Sequence, residues 1–129
     1  LVLGMNYFDN QHHILIRASF GKADPLLTDV QHGRDFLLQW ARVNNMTVIE
    51  TPIMHKFEMQ RDNASEDGGY SGVALLCESH VSIHTYPETK HVFADIYSCM
   101  GLDKEINLQF INQYNPTKVD LNFIERSPP

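Results

Sequence analysis

The chain has 129 residues, one domain's worth, and its 43% hydrophobic and 20% charged content describes a folded globular protein rather than a disordered one. A formal net charge of −6 argues against non-specific nucleic-acid binding and suits a cationic substrate. No run approaches the ~18 apolar residues of a membrane span, and no basic segment followed by an apolar one opens the chain, so neither a membrane segment nor a signal peptide is expected. Two cysteines, Cys77 and Cys99, are too few for a disulfide scaffold, which makes a reduced, cytoplasmic setting the default.

Residues 13–20 read as a strand with Ile14, Ile16, Ala18 and Phe20 on one face. Asp24-Pro25 is a helix start, a capping carboxylate followed by proline at the first helical position. Leu27, Val30, Leu37, Leu38 and Ala41 continue that helix to Asn44-Asn45. Thr47 to Pro52 reads as a second strand and 58–70 as a polar loop. Residues 72–86 are strand-like and bent or broken around Glu78-Ser79. In the strand 91–98, Val92, Ala94 and Ile96 share one face, while Phe93, Asp95, Tyr97 and Cys99 share a polar and aromatic one that looks like a site wall. Asp103 can cap a helix running to about Tyr114, with Ile106 and Phe110 on its buried side, and Asn115-Pro116 stops it. Val119, Leu121 and Phe123 alternate with polar residues in a last strand. The order β-α-β-β-β-β-α-β predicts an α+β fold: a two-layer α/β sandwich whose largely antiparallel sheet is covered by two helices on one face. The other face is left for a second copy, the two sheets joined in a dimer.

The chemistry concentrates in Cys77-Glu78-Ser79-His80-Val81-Ser82-Ile83-His84-Thr85-Tyr86-Pro87-Glu88. A Glu-Ser bond is followed five residues later by a histidine, with Ser71-Gly72 upstream and Cys99 at the end of an apolar stretch. Alternation along a regular strand would set Ser79 and His84 on opposite faces, a conflict that a bend at Glu78-Ser79 would remove. Cys77 reads as a core residue, and His12-His13 as flanking the first strand. His80, His84 and His91 raise the thought of a metal site, but no Cys-x-x-Cys or His-Glu-x-x-His pattern accompanies them, and no metal is expected.

Taken together and in order, Ser71-Gly72, Glu78-Ser79-His80, Ile83-His84-Thr85, Pro87-Glu88 and Cys99 resemble the self-processing site of the bacterial and archaeal S-adenosylmethionine decarboxylases, a pyruvoyl-dependent family. The resemblance implies cleavage between Glu78 and Ser79, giving a β chain of residues 1–78 and an α chain of 79–129 from one domain spanning 1–129. Ser79 would become a covalent pyruvoyl group, the site of a Schiff base with substrate. His84 would serve as the processing base, Ser71 would assist it, and Cys99 would return a proton to the substrate carbon. Phe57 would stack on adenine, and Glu88 would bind ribose hydroxyls. The implied substrate is S-adenosylmethionine, decarboxylated to the aminopropyl donor of spermidine synthesis. The implied assembly is a homodimer or dimer of dimers with sites drawn from both protomers, and Leu3-Gly4-Met5-Asn6 reaching a neighbour's site. Tyr86 in place of a more usual tryptophan, Met100 between Cys99 and Gly101, and the long acidic stretch before Tyr70 depart from the family pattern. They motivate two alternatives, a pyruvoyl-dependent decarboxylase of ornithine or arginine and an unprocessed binding or regulatory relative.

Overall fold

The computed structural model describes residues 11–61 and 64–126. Their order is β1 (Gln11–Ser19), α1 (Pro25–Thr28), α2 (Val30–Val43), β2 (Ile53–Arg61), β3 (Ala64–Leu76), β4 (Ser79–Tyr86), β5 (His91–Ser98), α3 (Lys104–Asn112) and β6 (Lys118–Arg126). The strands form one sheet in the order β2-β3-β4-β5-β1-β6, every neighbouring pair antiparallel. Helices cover one face, giving the α+β two-layer architecture expected from the sequence.

The helical region begins as read, with the Asp24 carboxylate accepting the Leu26 N–H at 2.8 Å ahead of Pro25. It is then interrupted. Asp29 is extended and its carboxylate accepts the Gln31 N–H at 2.8 Å, so a second cap starts α2 and the single expected helix becomes two. Thr47 to Pro52 is not a strand, since only Val48 bridges to Leu76 and the strand itself starts at Ile53. The expected polar loop at 58–70 also gives way to strand. β2 and β3 stay paired out to Arg61 and Ala64, past a bulge between Lys56 and Glu58. A hairpin arm is held by its backbone ladder, which does not need the apolar alternation by which a strand is recognised in sequence.

Ile14, Ile16, Ala18 and Phe20 are buried beneath the helices, as are Val92, Ala94 and Ile96. α2 approaches β3 closely at Gly33, where a Cβ would lie 2.2 Å from the Tyr70 ring. Tyr70 is itself anchored, its hydroxyl donating to the Leu26 carbonyl at 2.5 Å. On α3 the buried stripe is Asn107, Phe110 and Ile111, while Ile106 is exposed, contrary to the sequence reading. A buried asparagine is tolerated because its amide is satisfied. Asn107 Oδ1 accepts from Trp40 Nε1 at 2.7 Å and Asn44 Nδ2 at 2.9 Å, and its Nδ2 donates to the Asp103 carbonyl at 2.7 Å. The Trp40 and Phe110 rings stack beside it, 5.8 Å between centroids.

Removing the Asn107 amide strips the acceptor from the buried Trp40 Nε1–H and one of two acceptors from the part-buried Asn44 amide. Asn107→Ala should cost about 2–3 kcal/mol in urea unfolding. Ile106→Ala, at an exposed position, should cost less than about 1 kcal/mol.

Candidate functional site

β3 and β4 meet in a hairpin in which Leu76 pairs with Ser79 across Cys77 and Glu78. Glu78 has φ 58°, the left-handed region that turns of this kind normally give to glycine or asparagine. For a side-chain-bearing residue this costs on the order of 1–2 kcal/mol, and here it falls on the residue before the serine. The turn also explains why Cys77, expected in the core, is exposed.

Ser79 opens β4 on the helix-covered side. Its Oγ accepts the Cys99 N–H at 3.2 Å and lies 3.8 Å from the Cys99 thiol. Cys99 is buried, at 7% exposure. It does not continue the face of Phe93, Asp95 and Tyr97, because β5 ends at Ser98 and the chain bends away. Ser79 and Cys99 line a cleft of about 350 Å³ together with Asn44, Met46, Thr47 and Cys77. Asn44 is the residue held by Asn107, so the lock between α2 and α3 also shapes this cleft.

Ser71 and His84 form a second cluster. They are register partners on β3 and β4, with Ser71 Oγ 2.7 Å from His84 Nδ1. They lie in a trough of about 490 Å³ on the uncovered sheet face, bordered by Ile53, Val73 and Leu75. Phe57 is half-exposed on β2, its ring 4.6 Å from that of His55, which lines the same trough. Glu88 is exposed in the turn that follows β4. Ser71, His84, Phe57 and Glu88 thus belong to the half of the hairpin remote from Ser79. Ser79 and His84 are five positions apart on a strand that pairs without a bulge on both sides. They face opposite ways and are separated by roughly 16 Å of rise. The bend sought at Glu78-Ser79 is the turn before β4, and it leaves the two clusters apart. Leu3-Gly4-Met5-Asn6 lies outside the described residues.

A third cluster was not singled out from sequence. Asp95 Oδ2 meets His13 Nε2 at 2.6 Å and His80 Nε2 at 3.3 Å, and its Oδ1 accepts from the Ser82 hydroxyl. Burial pulls the Asp95 carboxyl upward, but the hydrogen bonds from His80, Ser82 and His13 outweigh it and hold the group well below the usual carboxylate range. His80, His84 and His91 do not converge: His80 joins His13 and Asp95, and His84 joins Ser71, while His91 stands beside Phe93 at 6.4 Å. The ligand atoms of His13, His80 and Asp95 all lie within 4.8 Å of one another, a two-histidine, one-carboxylate set of the kind that can hold a divalent ion. Asp95 on the polar face of β5 was the available signal. His13 was missed because a long-range partner, 82 positions away, gives a single sequence no local sign.

A family model described as S-adenosylmethionine decarboxylase matches residues 13–127. The arginine decarboxylase proenzyme of Caldivirga maquilingensis is 28% identical over 110 residues, covering 84% of this chain and 78% of that protein. The S-adenosylmethionine decarboxylase proenzyme of Aquifex aeolicus is 33% identical over 99 residues, covering 75% of this chain and 67% of that protein. The crystal structure of the adenosylmethionine decarboxylase from Aquifex aeolicus superposes with a TM-score of 0.72 at 28% identity, covering 94% of this chain and 93% of the other. With the match extending through both clusters and the fold shared along almost its whole length, this chain belongs to the S-adenosylmethionine decarboxylase family and is a decarboxylase.

Proposed function

We propose that the chain cleaves itself between Glu78 and Ser79 and decarboxylates S-adenosylmethionine, its product serving as the aminopropyl donor for spermidine synthesis. The observation that carries this reading is Ser79 set against the Cys99 thiol, immediately after a strained Glu78. Ser79 Oγ attacks the Glu78 carbonyl carbon, the Glu78–Ser79 C–N bond breaks, and an ester links the two fragments. A base removes the Ser79 α-proton, the Cβ–Oγ bond breaks, and Oγ departs in the new Glu78 carboxylate. The resulting enamine rearranges to an imine, which water hydrolyses to a ketone with release of ammonia. Cleavage frees Glu78 from its left-handed conformation and so relieves strain. The pyruvoyl group formed at residue 79 supplies the electron sink for the pair left behind when carbon dioxide departs. Cys99 then delivers a proton to the substrate carbon.

His84 suits the role of base, an imidazole whose Nδ1 is held by Ser71, leaving the other nitrogen for proton transfer. It cannot reach Ser79 of its own chain. A symmetric pair of copies joined through their uncovered sheet faces answers this need where His84 of one copy lies against the turn end of the other's β4, because the cleft at Ser79 opens at that end of the sheet, between the Cys77-Glu78 turn and the residues that follow β5. The faces carry Leu15, Ile53, Leu75, Phe93 and Ile124 exposed, with Ile53 at 68%. Covering them favours association. Each site would combine Ser79 and Cys99 of one copy with Ser71, His84, Phe57 and Glu88 of the other. Phe57 would stack on adenine and Glu88 would bind the ribose. Arginine is the second reading, favoured by arginine decarboxylase proenzymes at 28% and 27% identity over 84% of this chain.

Intact mass spectrometry should find a fragment ending at Glu78 and a blocked one of 129 − 78 = 51 residues. Only uncut chain after long incubation contradicts the proposal, and Ser79→Ala should stay uncut. Cys99→Ala should cleave yet lose at least about a hundredfold in turnover, the low end of what a positioned proton donor contributes; normal turnover would remove Cys99 from the mechanism. Carbon dioxide release measured side by side should favour S-adenosylmethionine over arginine and ornithine, and a preference for arginine would establish the second reading instead.

A further inference from the structure

We infer that His80 and Asp95 form a positioning pair that holds residue 79 in place once maturation has removed its hydroxyl anchor. The inference rests on the self-cleavage just proposed. In the uncut chain Ser79 is secured by its peptide bond to Glu78, by its Oγ accepting the Cys99 N–H at 3.2 Å and by its ladder pairing with Leu76. Cleavage removes the first two, because Oγ leaves with the Glu78 carboxylate. Residue 79 becomes a chain end joined covalently only to His80, at the last rung of its ladder, and chain ends fray unless something ties them down.

His80 is built as that tie. Its side chain points to the uncovered face, away from the cleft that holds residue 79. Its Nε2 lies 3.3 Å from Asp95 Oδ2, and its ring stacks on Tyr97 with 5.8 Å between centroids and 26° between planes. Asp95 is immobilised in turn by the Ser82 hydroxyl and by His13 Nε2 at 2.6 Å. A ring held on two sides fixes the His80 Cα and with it the amide joining residues 79 and 80. That amide carries the reacting ketone. A displacement of about 1 Å at a reacting centre can cost about a hundredfold in rate. The pair touches neither the hydroxyl nor the thiol, so its effect falls after cleavage and on kcat.

The test compares the wild type with Asp95→Asn, with His80→Phe, which keeps a ring on Tyr97 but loses Nε2, with the double variant, and with the milder Ser82→Ala. Intact mass reads cleavage, and carbon dioxide release from S-adenosylmethionine and from arginine reads kcat and KM. All variants should be cleaved as fully as the wild type. Each single variant of the pair should lose at least about tenfold in kcat with KM within about threefold, and Ser82→Ala should lose less. The double variant should be no more than about threefold below the worse single one, since the two residues act as one unit. Full cleavage with kcat within about twofold of wild type overturns the inference, as do losses that multiply in the double variant. Uncut variants overturn it too, because the pair would then be needed while the hydroxyl anchor is still present. Wild-type activity that a chelator abolishes and a divalent ion restores would also overturn it, making His13, His80 and Asp95 metal ligands. An uncut wild type sinks the proposed function itself, a result distinct from any of these.

Discussion

Side-chain alternation along β4 is the constraint on which the rest depends. Successive residues of a strand point to opposite faces. Ser79, Val81, Ile83 and Thr85 therefore face the helices, and His80, Ser82 and His84 face outward. Pairing with β3 on one side and β5 on the other fixes this register along the whole strand. A slip of one residue would expel Val81 and Ile83 from the core, where both are fully buried. The core thus dictates that a serine and a histidine five positions apart cannot meet within one chain. It also puts His80 where Asp95 and Tyr97 can hold it.

The two layers support the chemistry differently. Under the helices, the buried Asn107 amide and the part-buried Asn44 amide lock α2 to α3, and Asn44 lines the cleft at Ser79. Local strain at Glu78 is sustained because Leu76 and Ser79 are paired on either side of it and the Cys77 N–H donates to the Thr47 carbonyl at 3.2 Å. The uncovered face carries exposed apolar side chains, Leu15 opposite Asp95 among them, around a polar group built on Asp95. That group is satisfied by internal hydrogen bonds, which lowers the cost of covering it.

The sequence is most legible where local pattern and global fold agree. β1, β5 and β6 alternate cleanly, and Asp24-Pro25 and Asp103 mark real helix starts. The ordered motif from Ser71 to Cys99 points to the family on its own. What escaped depends on partners distant in sequence. Asn107 looks like a surface residue until Trp40, 67 positions away, supplies its hydrogen bond. The arm at 58–70 looks like a loop because its pairing lies in the backbone. The separation of Ser79 from His84 was visible as a conflict in alternation, but only the register shows that the bend falls in the turn and leaves the conflict standing.

Mixing two inactive chains tests the divided site most directly. Ser79→Ala retains His84 but has no serine to cut at, and His84→Ala retains Ser79 but has no base. Each should remain uncut when produced alone. Produced together in one cell, they should form mixed pairs in which the His84→Ala chain is cleaved after Glu78 and the Ser79→Ala chain is not, readable by intact mass. Complete absence of cleavage in mixed pairs whose formation is verified by native mass spectrometry, or cleavage of His84→Ala alone at the wild-type rate, would contradict a site shared between copies.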